Sequence, residues 1–318
     1  MRTTKNAGIL FLIITIVYIL GIFTIFKLNM NGIQLSTYLL LLVSQGFIVI
    51  PGLIFLLVTK SNPIRLIPYR KIKISNLLLV VLITYLMIPL MSTISMISQF
   101  FVKDVASKAI GSLMDGPFLL NFLFIAVSPA IFEEFIFRGI MFHTMRKASI
   151  KYAALISSIM FGLVHLNFNQ FCYTVFMGVF FALLIEATGS IYSSMTAHLI
   201  INGNSVILLT VINLIIKKAN ELGLSTDLFS KQSGQSLQFH DGLSTIQILI
   251  SVGVWILISI GTAVLAGVVF IVLCKRCNRW EHVKSIWKEE KKEKIVTFPL
   301  IFGVCICILF MFFREFII

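Results

Sequence analysis

The sequence predicts an all-α protein, a polytopic transmembrane helical bundle of about eight or nine spans. Three observations carry that expectation. Hydrophobic residues make up 58% of the 318 residues and charged residues only 12%, about half the charge of an ordinary soluble domain. The apolar residues fall in runs long enough to cross a hydrocarbon core, separated by short basic or polar connectors. The mean hydropathy of the chain is +1.00.

Taken in order, residues 7–28 form a first apolar run, about 33 Å long as a helix. It is too long for a signal-peptide core and no small-residue cleavage site follows, so it reads as a retained span. Residues 35–58 form a second, with Pro51 inside it as a kink point, and a basic, proline-containing connector occupies 60–73. A third span covers 76–101, and 102–116 reads as a polar loop. The fourth, 117–144, contains acidic residues. The fifth and sixth, 152–166 and 171–187, are short. Gly189 and Ser190 open a seventh, 189–216. A Ser/Gln-rich loop over 217–243 precedes the eighth span, 246–273, and the strongly charged 275–294 precedes the ninth, 296–313. This divides the chain into N-terminal helices (1–116), a central core (117–210) and a C-terminal extension (211–318).

The net charge of +13 could indicate a nucleic-acid partner, but the basic residues cluster between apolar runs, the pattern of topology determinants and anionic-lipid contacts. No nucleic acid is expected as a partner; membrane lipids are. Arg2 and Lys5, the 60–73 connector, Arg146, Lys147 and Lys151, and the 275–294 segment all fall on one side if nine spans are counted. That side is expected to be cytoplasmic and to hold the N-terminus. The Phe/Ile/Lys-rich composition resembles that of an AT-rich bacterium, which places the expected location in a bacterial plasma membrane. The five cysteines are odd in number and lie mostly in or beside apolar runs, so no disulfide framework is expected. Cys274 and Cys277 have metal spacing but lack a second pair.

Three polar outcrops interrupt the apolar core. The first is Glu133-Glu134 followed by Arg138, the second Phe161-x-x-x-His165, the third His198-x-x-x-Asn202. Ionisable residues at bilayer depth cost a few kcal/mol or more and mark functional sites. Glu134 and Arg138 are four apart and can pair on one helix face. Glu133 points about 100° away and has no partner in its own helix, which leaves it free to exchange a proton with water. His165 can share that water, and His198 with Asn202 can donate to an oxyanion. Each of these residues taken singly is a helix-packing polar group; their conjunction points to chemistry. Phe161 lies one turn from His165 and is expected to fix its direction. Glu186 reads as interfacial, His143 as part of the basic end, and His240 and His282 as loop residues.

Glu133-Glu134-x-x-x-Arg138, Phe161-x-x-x-His165 and Thr188-Gly189-Ser190-Ile191 leading into His198-x-x-x-Asn202 resemble the CPBP family of intramembrane proteases, also called the Abi or CAAX-protease family. That family includes type II CAAX prenyl endopeptidases and bacterial proteins linked to bacteriocin self-immunity. The resemblance covers about residues 117–209. It implies an intramembrane endopeptidase acting on a membrane-anchored or hydrophobic peptide, with Glu133 and His165 activating water, His198 and Asn202 stabilising the oxyanion, and Glu134 with Arg138 in support. The family is often labelled metalloprotease, and Glu133, His165 and His198 are the set that would hold zinc. With no His-Glu-x-x-His sequence, the expectation is a glutamate-activated water and no cofactor. The competing readings are a non-catalytic scaffold or bacteriocin-immunity protein that uses the polar cluster as a helix-locking network, and a small proton-coupled transporter.

Overall fold

The computed structural model describes residues 4–102, 116–223, 245–289 and 293–316. Eleven helices run in order: α1 Thr4–Met30, α2 Thr37–Val58, α3 Pro63–Leu66, α4 Ile74–Ser98, α5 Phe118–Met145, α6 Ile150–Leu163, α7 Phe168–Thr188, α8 Ile191–Glu221, α9 Thr245–Arg276, α10 Trp280–Ile286 and α11 Phe298–Phe316. Among the described residues there is no strand. Eight of the helices are long and apolar enough to cross a membrane; the chain is a multi-pass integral membrane protein. The remaining apolar helix, α6, has 14 residues, roughly 21 Å, short of a hydrocarbon core of about 30 Å. It packs between α5 and α7 and touches α11, with Tyr152 and Leu155 facing outward.

Local chemistry sets several boundaries. Ser36, Asn62, Asn167 and Ser190 each accept a backbone N–H at the start of the following helix, which satisfies a donor that the first turn leaves open. The end of α7 is set by Gly189, whose φ of +72° a side-chain-bearing residue rarely adopts.

The central helices α5 to α8 are flanked on two sides. On one, the first and last spans pair: α11 lies along α1, and α2 joins them. The approach is close, because a Cβ at Gly303 would meet Phe11 at 2.9 Å and one at Gly8 would meet Thr297 at 2.5 Å, the small-residue contact by which helices associate in lipid. Phe11, Ile14, Cys307 and Met311 continue from this pair into the core formed by Phe137, Ile140, Phe142 and Phe161. On the other side α9 lies along α4, which also contacts α7 and α8. Val80, Ile83, Ala266 and Leu273 there pack against Met177, Phe181 and Leu184. Outward-facing Leu57, Leu257 and Leu309 remain exposed, as a lipid-facing surface requires.

Some expected segments differ from what is found. The charged segment 275–294 contains α10, which buries Val283 and Ile286, so His282 lies on a helix rather than in a loop. The loop expected to begin at residue 217 is still helical to Glu221, because 217–221 continues the apolar α8 by one polar turn. The rest of that loop, with His240, and most of the 102–116 loop lie outside the described residues.

Candidate active site

Helix α5 carries the glutamates and is not uniformly α-helical. It widens to π-helix over Leu123–Val127 and again over Glu134–Phe142, the i→i+5 winding that recurs at functional sites. The second stretch begins at Glu134, so the two glutamates straddle a change of winding. Both are buried: Glu133 is 5% exposed and Glu134 fully enclosed. Close to the end of the stretch, His143 Nδ1 lies 2.6 Å from the Arg138 carbonyl, meeting an acceptor of the widened turn.

The structure separates the two carboxylates as the helical spacing predicts. Arg138 Nη1 lies 3.0 Å from Glu134 Oε1 with both side chains fully buried. That contact is an ion pair too oblique to be a hydrogen bond, since all three guanidinium nitrogens lack a hydrogen-bond acceptor. Aromatic faces surround the cation instead: its carbon lies 4.1 Å from the Phe161 ring centroid and 5.1 Å from that of Phe181. A dry guanidinium held this way is worth roughly 2 kcal/mol or more from the ring contacts. Room for it depends on Gly178 of α7, where a Cβ would lie 2.8 Å from Arg138 Nη2 and 2.6 Å from Ser158 Oγ.

His198, from α8, joins the two carboxylates. Its Nδ1 lies 3.0 Å from Glu134 Oε1 and its Nε2 is 3.8 Å from Glu133 Oε2. Phe181 stacks on its ring at 5.3 Å and Phe161 meets it edge-on at 5.9 Å. A carboxylate can only accept, so Nδ1 carries a proton toward Glu134, and Nε2 is the nitrogen that faces Glu133. His165 lies in the tight turn between α6 and α7, edge-on to Phe161 at 5.2 Å. Its Nε2 is buried without a hydrogen-bond partner, and Glu133, His198 and Arg138 are its electrostatic neighbours. Asn202, one turn beyond His198, donates from Nδ2 to the Ile125 carbonyl at 3.1 Å. That carbonyl belongs to the first π-helical stretch of α5, so Asn202 ties α8 to it.

Three participants escaped sequence reasoning. Gln45 of α2 donates from Nε2 to Glu133 Oε1 at 2.9 Å; a lone amide in an apolar span was the available signal. Phe181 was hidden among the 29 phenylalanines. Arg314, in the last turn of α11, donates to the Leu166 carbonyl at 3.3 Å, fastening the His165 turn to the last helix. Leu166 there has a positive φ of 50°. Glu186, expected to be interfacial, is enclosed by protein. It is buried at the basic end of α7, with Arg146 Nη2 at 2.7 Å, His282 Nε2 at 2.6 Å and Arg279 Nη2 at 3.3 Å, because α10 and the α5–α6 turn fold over it.

Among the described residues no three histidine, cysteine, aspartate or glutamate side chains are gathered so as to hold a metal ion. Glu133, His165 and His198 are not gathered closely enough to hold zinc as placed. All five cysteines are free thiols, and Cys277 accepts from Asn76 Nδ2 at 3.3 Å.

Comparison with known proteins points the same way as this geometry. Residues 115–204 match the family model described as "Type II CAAX prenyl endopeptidase Rce1-like". Those residues hold both glutamates, Arg138, both histidines and Asn202. The chain is also similar to the protein described as "Putative membrane peptidase YdiL" of Bacillus subtilis (strain 168), 39% identical over 79 residues, which is 24% of this chain. The match spans about a third, 32%, of that relative's length. No solved structure matches the chain. Outside residues 115–204, α2 supplies Gln45 to Glu133 and α11 supplies Arg314 to the His165 turn.

Proposed function

We propose that this protein is an intramembrane endopeptidase that hydrolyses a peptide bond in a membrane-anchored or hydrophobic peptide. The observation that carries this reading is the pair Glu133 Oε2 and His198 Nε2, buried and facing each other across 3.8 Å. A separation of that size suits two groups that share a water lying beside the gap. Glu133 takes a proton from that water as its oxygen adds to the scissile carbonyl carbon. The carbonyl oxygen becomes an oxyanion, and the C–N bond then breaks as Glu133 returns the proton to the departing amine.

The division of labour between the histidines follows from their partners. Glu134 holds Nδ1 of His198, so its Nε2 is the nitrogen that orients the water beside Glu133, the part that sequence reasoning gave to His165. The unpartnered Nε2 of His165 is then available to donate to the oxyanion, where preorganised donors are worth most. Asn202 holds the α5 backbone in place through one N–H and has a second to offer. Gln45 fixes the other Glu133 oxygen. Zinc enters no step.

The setting is proposed to be a bacterial plasma membrane, with the N-terminus and the arginine-rich connectors on the cytoplasmic side. Purified protein in lipid is expected to cleave membrane-anchored peptides, and Glu133→Ala and His165→Ala to lose turnover while retaining the fold. Cleavage by these variants at the wild-type rate would remove the assignment. A second reading has one observation in its favour: the Glu134, Arg138 and His198 network joins α5 to α8 and could serve only as a lock in a scaffold or immunity protein. A Glu133→Gln variant that still protects cells from a toxin would select it.

A further inference from the structure

Away from the glutamates, a cavity of about 400 Å³ opens at the basic end of the bundle, within the size range of small-molecule sites. Its lining includes Arg65, Arg70, Arg146 and Arg279 against one acid, Glu186, a formal excess of three positive charges. These residues come from connectors far apart in sequence. The structure pins them together: Ile191 N donates to the Pro68 carbonyl at 3.0 Å, and Ser190 Oγ donates to the carbonyl of Arg70. Arg279 lies over Gly189, whose missing Cβ would stand 3.4 Å from Nη1.

Glu186 orders two of the cations without consuming the rest. It holds Arg146 and Arg279 in place, yet the buried Nε of Arg146 has no hydrogen-bond partner among the described residues. Among the described residues, the guanidinium groups of Arg65 and Arg70 make no hydrogen bond or ion pair; only their backbones are bonded, Arg65 N to Asn62 and the Arg70 carbonyl to Ser190. Converging guanidinium groups with spare N–H donors match phosphate geometry. The apolar remainder of the lining, Ile64, Ile67 and Ile185, suits the glycerol end of a lipid. The position, at the ends of membrane spans, is where headgroups lie.

We propose that this cavity binds a phosphate-bearing anion, the phosphodiester headgroup of an anionic phospholipid, gripped by Arg65, Arg70, Arg146 and Arg279. The assignment is independent of the peptidase reading. The test uses the full chain in nanodiscs of mixed anionic and zwitterionic phospholipid, with native mass spectrometry counting the lipid retained on release. Wild type is expected to keep anionic phospholipid selectively. Arg65→Gln with Arg70→Gln, both exposed positions, should weaken retention about tenfold or more. Lys71→Gln with Lys73→Gln, equal in charge but outside the cavity, should change it little. A second arm adds inorganic phosphate to delipidated protein and follows the melting temperature. A rise seen in wild type but not in the arginine pair, without selective lipid retention, assigns the phosphate site to free phosphate. The proposal is overturned if wild type retains no excess of anionic lipid and phosphate does nothing, if the arginine pair binds like wild type, or if both variant pairs lose binding equally.

Discussion

Replacing Arg138 by methionine removes the cation while keeping an unbranched side chain of similar reach, and the structure sets the size of the effect. Glu134 is then left as a buried carboxylate with only the neighbouring His198, at 3.0 Å, and the Ser194 hydroxyl to meet its charge. Breaking a buried pair from one side costs about 3–5 kcal/mol, and the ring contacts at 4.1 and 5.1 Å are lost as well. Glu134→Gln in the same chain removes the stranded charge, while its amide oxygen can still accept from His198. The double variant should therefore recover about 2 kcal/mol or more of the loss, seen as a coupling energy in a double-mutant cycle. Reversible unfolding in detergent, followed by circular dichroism for wild type, both single variants and the double variant, supplies the four free energies. A loss below about 1 kcal/mol for Arg138→Met, or a coupling near zero, would refute the view that the pair is a dry, mutually dependent lock.

Gly178→Ala places a Cβ against Arg138 and Ser158 at 2.8 and 2.6 Å and is expected to cost about 1–3 kcal/mol in the same unfolding assay; Gly253→Ala, in open space, is the control and should be neutral or slightly stabilising. Gln45→Ala removes the hydrogen bond to Glu133 Oε1 and should lower kcat about tenfold with a small change in KM, read from initial rates on a cleaved peptide. Exhaustive chelation should leave peptide cleavage intact, with no stoichiometric zinc in the purified protein by elemental analysis; activity lost on chelation and restored by zinc would overturn the metal-free step.

Much of the fold was legible because lipid imposes a simple rule: each span must satisfy its own backbone and be apolar, so length and composition reveal it. The 14-residue α6 was visible as a short span for the same reason. Helical spacing also distinguished Glu134, paired with Arg138, from Glu133. Long-range pairing was not legible. Nothing in the sequence of α2 says that Gln45 faces Glu133, or that α11 brings Arg314 to the His165 turn, because those contacts depend on how helices pack rather than on any one helix. The π-helical widening at Glu134 was hidden too, since i→i+5 winding has no residue signature of its own. It matters because it sets how the buried carboxylates are presented to His198. The burial of Glu186 was not legible because its partners, Arg146, Arg279 and His282, lie 40 or more positions away.

The central claim is that Glu133 moves the proton of the attacking water. The direct measurement is the single-turnover cleavage rate of Glu133→Gln in lipid, beside its unfolding curve. Glutamine keeps the size of the side chain and can still bond Gln45, but it cannot take up the proton. A rate reduced by about 10²–10⁴ with an unchanged unfolding midpoint is predicted. Cleavage within about threefold of wild type would contradict the account.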